Sequence, residues 1–290
     1  MKKPTIGFIG QGWIGKNYAN DFEARGYDVV RYALEEPYVK NKEAIAQCEL
    51  VFVAVPTPTT DKGFDASIVR AVIKNTGAEK TVVIKSTLLP GTTEALQKEF
   101  PDRIILCSPE FLREKHAAHD AAHPERNLIG IPEETPAHRA AAELVLSVCA
   151  KAPFAKILPS RAAELTKYAG NVFLATKVVF ANMLYDLSQT LGVEYETLRE
   201  SLAADPRIGA SHLFPVDASG HSDKKGRGAG GDCFIKDLEA FRRLYKETND
   251  AEGAKLLESL VQKNNALLVN SGKDLELLRG VYGEQYDVLP

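Results

Sequence analysis

The chain has 290 residues, of which 44% are hydrophobic and 26% charged, and its formal net charge is −3. These values fit a soluble protein large enough for two domains, and they exclude a broadly basic surface for nucleic acid. No apolar run approaches the ~20 residues that span a bilayer and no signal-peptide pattern opens the chain, so a cytoplasmic protein with no membrane partner is expected.

In chain order, Thr5–Ile9 is an apolar strand, followed at once by Gly10-Gln-Gly-Trp-Ile-Gly15, a helix from Lys16 to Arg25 and a second strand at Val29–Tyr32. This is the strand, glycine turn, helix and strand context that the dinucleotide fingerprint G-x-G-x-x-G requires. Gly10 makes the tight turn, Gly12 lets backbone approach a pyrophosphate, and Gly15 lets helix and strand pack closely. Trp13 and Ile14 complete the turn, and the helix N-terminus favours an anion there. The acidic residue expected at the end of the second strand is missing, because Ala33 stands in its place. Glu35 or Glu36 lies just beyond and is the candidate ribose acceptor. Arg31 raises the opposite possibility of a 2′-phosphate, the alternative being a side chain that simply faces solvent; NAD is favoured as the cofactor and NADP stays open.

A short helical segment at Glu43–Gln47 precedes the apolar run Leu50–Val55, which suits a parallel strand covered on both faces. A helix is expected over Phe64–Thr76, with strands at Thr81–Lys85, Arg103–Cys107 and Asn127–Ile131 and a helix at Ala137–Cys149. The loops after these strands, with Pro56, Thr57 and Thr87 among their residues, fall where open sheets bind ligands and are expected to line the cofactor. The sheet domain is expected to end near residue 155.

From Ala162 to Leu191 the chain is apolar at helical spacing and free of proline, which predicts a helix of roughly 45 Å. A helix that long suggests an interdomain spine and a homodimer contact. Lys167 and Asn171 are its polar exceptions, one turn apart on one face. Helices are then expected at Val193–Ala204, from Lys236 to about Thr248, at Glu252–Val269 and at Asp274–Tyr282. The polar loop Ser211–Lys225 holds His212 and His221, read as loop residues rather than metal ligands. The expected fold is thus an α/β Rossmann-type dinucleotide-binding domain over residues 1–155. An all-α central and dimerisation domain over 156–290 follows it, with no room for a further sheet domain.

Of the four cysteines, Cys48, Cys107 and Cys149 lie in apolar surroundings and read as core residues. Cys233 differs. It follows Gly226-Arg-Gly-Ala-Gly-Gly-Asp232 and precedes Phe-Ile-Lys-Asp237, a setting that suits either a glycine-rich surface loop or a platform for a nucleophile.

Several segments, in order, carry a resemblance. They are Gly10–Gly15, Val55-Pro-Thr-Pro58, Lys85-Ser-Thr-Leu-Leu-Pro-Gly-Thr-Thr93, Ser108-Pro-Glu-Phe-Leu-Arg-Glu114, Glu164-Leu-Thr-Lys-Tyr-Ala-Gly-Asn171, Asp205-Pro-Arg-Ile-Gly209 and Gly228–Asp237. Together they resemble the UDP-glucose/GDP-mannose dehydrogenase family along nearly the whole chain. The resemblance implies NAD-dependent oxidation of the C6 alcohol of a nucleotide sugar to a carboxylate, through a cysteine thiohemiacetal and thioester. By position, Cys233 is the implied nucleophile, and Lys167 and Asn171 are implied to steady the developing oxyanion. Asp237 is implied to act on a water with Thr87, and Glu110 in thioester hydrolysis. Phe111, Leu112, Gly228, Gly230, Gly231 and Lys236 are implied to border the sugar.

The chain also departs from that pattern. Ala33 replaces an acid, Ala229 an aromatic residue, Ile235 a proline and Asp232 a small residue, and the family's third domain, which grips the nucleotide, has no counterpart here. Two alternatives therefore stand beside the dehydrogenase: an oxidoreductase for a smaller sugar, and a non-catalytic dimeric nucleotide-binding homologue that needs a partner chain.

Overall fold

The computed structural model of the chain describes residues 3–220 and 222–283; residues 1–2, His221 and residues 284–290 lie outside the described residues. The chain divides into two units. The first comprises Met1–Thr57 and Asp65–Lys167, and the second Pro58–Phe64 and Tyr168–Pro290.

The first unit begins with β1 (Ile6–Ile9), α1 (Trp13–Ala24), β2 (Val29–Tyr32), the short α2 (Lys42–Ile45) and β3 (Leu50–Val53). The chain then leaves it for a hairpin, β4 (Thr59–Thr60) and β5 (Gly63–Phe64), that belongs to the second unit. It resumes with α3 (Ser67–Ile73), β6 (Thr81–Ile84), α4 (Thr92–Glu99), β7 (Ile104–Cys107), α5 (Ala117–Ala122), β8 (Arg126–Ile131), α6 (Pro136–Val148) and β9 (Phe154–Pro159). The helix expected from Phe64 starts only at Ser67. Phe64 is paired in the hairpin, and the Asp65 carboxylate accepts from the Ser67 amide just before the first turn.

The seven strands lie in the order β2-β1-β3-β6-β7-β8-β9. Neighbours are parallel except β7 and β8, which are antiparallel. Strands β1, β3 and β6 are buried at every position, as strands covered on both faces must be. Phe8 stacks on Phe52 at 5.0 Å, and Phe22 of α1 meets Phe8 edge-on at 5.5 Å. That cluster fixes α1 against the sheet and so sets the direction in which its N-terminus points. The chain passes from β1 to β2 on one side and to β3 on the other, so the strand order reverses at β1, the place where open α/β sheets take ligands.

Helix α7 (Ser160–Leu191) runs for 32 residues, and the division between the units falls within it. The second unit continues with α8 (Tyr195–Ala203), the hairpin β10 (Val216–Ala218) and β11 (Lys225–Arg227), α9 (Gly231–Tyr245), α10 (Ala251–Ser271) and α11 (Leu275–Tyr282). It is mostly helical rather than all-α, since it includes two short hairpins. Helix α9 begins five residues earlier than its composition suggests. Its first turn is built from Gly231, Asp232 and Cys233, residues of low helix propensity held there by contacts described below. Among the described residues, no helix is long and apolar enough to cross a membrane.

Candidate active site

The three glycines of the first turn play different roles. Gly10 has φ +91°, and a Cβ there would lie 2.2 Å from the Ala54 carbonyl oxygen of the neighbouring loop. At Gly15 a Cβ would lie 2.0 Å from the Gly10 carbonyl oxygen, so this glycine lets α1 sit directly on the turn. Around Gly12, the N-cap of α1, an added Cβ would meet nothing within 4 Å. The backbone is therefore bare towards open space at the one position where a pyrophosphate must approach, and the turn fits a dinucleotide. A contrast follows. Gly15→Ala should lower the unfolding midpoint clearly, whereas Gly12→Ala should change stability by about 1 kcal/mol at most yet weaken dinucleotide binding; parallel melts and titrations check both.

Behind the turn, the carboxyl ends of β3, β6 and β7 are tied together. Ser86 Oγ donates to the Val55 carbonyl and accepts from the Val55 amide, and Thr57 Oγ1 donates to the Thr87 carbonyl at 2.7 Å. Lys85, 5% exposed, donates to the carbonyl and hydroxyl oxygens of Ser108 and stands 4.1 Å from the ring centre of Tyr18. Burial holds its ammonium below the usual lysine range, and the neighbouring Glu110 charge opposes that. Pro56, Thr57 and Thr87 thus occupy strand-end loops held in fixed positions.

Glu110 is 2% exposed and fully engaged. Its Oε1 accepts from Lys167 Nζ at 2.7 Å, and its Oε2 accepts from the Leu112 amide at 2.7 Å. Lys167, also buried, lies 5.7 Å from the Phe111 ring centre, and that ring carries Arg126 on it at 3.8 Å. Glu164, one turn before Lys167, caps the start of α4. Its carboxylate accepts from the amides of Gly91 and Thr93 and from the Thr93 hydroxyl. That cap fixes the segment of α7 on which Lys167 stands.

In the second unit, Cys233 is half-buried in the first turn of α9, where aligned amide dipoles favour negative charge. Asp237, one turn on and fully buried, accepts from Asn171 Nδ2 at 2.6 Å and pairs with Lys236 Nζ at 2.6 Å. Asn171 thus donates to a carboxylate in this structure, and the Lys236 charge is balanced by its own neighbour. The Asp232 side chain is exposed. Ala229 is buried against Ala175 and Val178 of α7, and Ile235 packs with Leu268, Leu278 and Val281. Both replacements noted in the sequence are therefore core residues.

The loop that leads into the Cys233 turn is gripped by residues that sequence reasoning missed. Asn264 of α10 bonds both the amide and the carbonyl of Ala229. Lys273 donates to the Gly228 carbonyl, and Asp274 accepts from the Gly231 amide at 2.8 Å. A Cβ on Gly230 would lie 2.1 Å from Asp274 Oδ2, so that glycine makes room for the clamp rather than only for a ligand. Arg227 bonds Asn182 and pairs with Asp186 on α7. None of these positions carries a chemical signature. A buried lysine and aspartate after an ordinary helix end, Ser271-Gly-Lys-Asp274, become significant only once the loop is seen against them.

Residues 33–146 match the NAD binding domain of the UDP-glucose/GDP-mannose dehydrogenase family, and residues 161–266 match its central domain. The chain belongs to this family. Among similar dehydrogenases, a UDP-glucose 6-dehydrogenase of Pseudomonas aeruginosa is 33% identical over 244 residues, covering 78% of this chain and 51% of that protein. One from Bacillus subtilis is 31% identical over 268 residues, covering 86% and 56%. The structure of a UDP-glucose dehydrogenase from the archaeon Pyrobaculum islandicum superposes with a TM-score of 0.77 at 28% identity, covering 91% of this chain and 68% of that one. The chain spans about half the length of the curated relatives it matches.

Proposed function

We propose that the chain is the catalytic part of an NAD-dependent nucleotide-sugar dehydrogenase that oxidises a C6 alcohol to the carboxylate through Cys233. The observation that carries this is the placement of Cys233 in the first turn of α9, with Asp237, Asn171 and Lys236 linked one turn on. Family membership and the fit of the Gly10–Gly15 turn to a dinucleotide support it.

A bound dinucleotide supplies the hydride acceptor for both oxidation levels. The chain does the rest. Cys233 Sγ adds to the carbon of the aldehyde-level intermediate and holds it as a thiohemiacetal, whose oxidation leaves a thioester. Water cleaves that thioester, so one alcohol and one water end as a carboxylate, with two hydrides and three protons released. Lys167 offers a cation to the oxygen on which charge develops, and Glu110 serves thioester hydrolysis. Asp237, held by Asn171 and Lys236, orients or deprotonates a water. Phe111, Leu112, Gly228, Gly230 and Gly231 border the sugar.

A homodimer through α7 belongs to the same reading. Phe173, Phe180, Met183, Leu187 and Leu191 are each more than half exposed and recur at steps of seven, three, four and four residues along one stripe. Light scattering at twice the chain mass is the expected result; a monomer at micromolar concentration would remove the dimer from the account.

The proposal is tested with limiting UDP-glucose, GDP-mannose or free sugars and excess NAD. Two equivalents of reduced dinucleotide per nucleotide sugar are expected. No turnover across the panel would sink it.

A further inference from the structure

The end of β2, where folds of this type read the adenosine ribose, has an alanine in place of the expected carboxylate and an arginine two residues before it. In nucleotide folds of this type a carboxylate at the end of the second strand accepts from the ribose 2′-hydroxyl, and a cation near that place accommodates a 2′-phosphate instead. Here β2 ends at Tyr32, and the next residue is Ala33, 7% exposed; Leu34 after it is 82% exposed and uncharged. Glu35 and Glu36, just beyond, are exposed, and two positions before Ala33, inside β2, stands Arg31 with its guanidinium. It lies along α1, bonded to Asn20 and to both carboxylate oxygens of Glu23, and its Nη1 extends to the side chain of Gln11 at 3.4 Å. Gln11 is the middle residue of the Gly10–Gly12 turn, and its own Nε2 donates to the Gly10 carbonyl.

The cation therefore reaches the side chain of the turn's middle residue, through a long Nη1 contact. Glu23, whose side chain is about half exposed at 47%, balances the charge from the solvent side.

We infer that this site accepts NADP as well as NAD, with Arg31 and Gln11 reading the 2′-phosphate at the position where a carboxylate would repel it. The inference rests on the dinucleotide-binding reading above and extends it to the phosphorylated cofactor.

Trp13 is the single tryptophan of the sequence and the first residue of α1, beside Gly12. Quenching of its fluorescence in titrations of the full chain with NAD and with NADP, checked by calorimetry, gives both affinities without any sugar substrate. The expected result is binding of both, with constants within about tenfold of each other. Arg31→Met should weaken NADP by more than about tenfold and leave NAD nearly unchanged. Ala33→Asp, which restores the carboxylate without touching the Arg31 bonds, should cost NADP on the order of a hundredfold through like-charge contact while holding NAD. If the native chain binds NAD but NADP more than about a hundredfold more weakly, the inference falls and the dinucleotide reading survives. If neither binds, the dinucleotide reading fails and takes this inference with it. Equal loss of both cofactors in Arg31→Met, with Ala33→Asp showing no discrimination, would also overturn it.

Discussion

Replacing Cys233 by alanine is expected to lower formation of the carboxylate by on the order of 10⁴-fold or more, as removal of a nucleophile that works within a unit usually does. Residual turnover should stop at the aldehyde, with one reduced dinucleotide per sugar, and dinucleotide binding should be unaffected because the Gly10–Gly15 turn is untouched. The structure gives the reason that no other thiol substitutes. Cys48 and Cys107 are buried at 0% and 1%; burial pushes the Cys48 thiol up to about 11 and the Cys107 thiol further, and it raises Cys149 as well. A thiol that stays protonated is a poor nucleophile. Iodoacetamide should accordingly label Cys233 first, and the nicotinamide dinucleotide need not be present for that selectivity. A Cys233→Ala enzyme that still makes carboxylate at a tenth of the native rate would remove the sulfur from the mechanism.

The second large effect concerns Lys167 and Glu110. Both ends of this 2.7 Å pair are buried, and deleting one leaves the other charge without its partner. Lys167→Met should therefore destabilise the chain by roughly 3–5 kcal/mol, read as a lower midpoint for the first unfolding transition in urea. The double variant Lys167→Met/Glu110→Leu should recover much of that loss, since replacing a whole buried pair by apolar groups is often neutral or better. It should not recover activity. The proposed work of Lys167 on a developing oxyanion is worth about 10²–10³ in rate, and a methionine supplies no charge. Recovery of both stability and turnover in the double variant would show that the pair is architectural only. A single variant as stable as the native chain would show that the pair contributes little to folding.

Much of this was legible in the residues. Continuous apolar strands and the Gly10–Gly15 turn announced the nucleotide fold, because a sheet covered on both faces leaves no other pattern. The thirty apolar-periodic residues before Leu191 announced α7 to within a few positions. The beginning of α9 was not legible. Gly226–Gly231 reads as a loop by propensity, and it is Asp274 and Asn264, thirty and more residues downstream, that hold its end in place to start the helix. Strand β9 was missed for a related reason. Phe154, Ala155 and Lys156 stay exposed, so the strand shows no alternation and is defined by its pairing with β8. The hairpins at Thr59–Phe64 and Val216–Arg227 are short and mostly polar, and local composition does not separate them from loops. Within the candidate site, candidate reactive residues could be proposed from their motifs. The partners that hold them could not, because Lys273 and Asp274 act through position alone.

The account turns on a covalent bond between Cys233 and the sugar carbon, and trapping that bond tests it directly. The Glu110→Gln variant, in which hydrolysis should be slow, is mixed with NAD and a nucleotide sugar that the native chain oxidises, then quenched in acid and weighed intact. A mass increase matching the sugar acyl group is expected, dependent on NAD, confined to the peptide that contains Cys233, and absent when Cys233→Ala is added. Oxidised sugar released to the carboxylate, with no adduct on that peptide at any time after mixing, would contradict it.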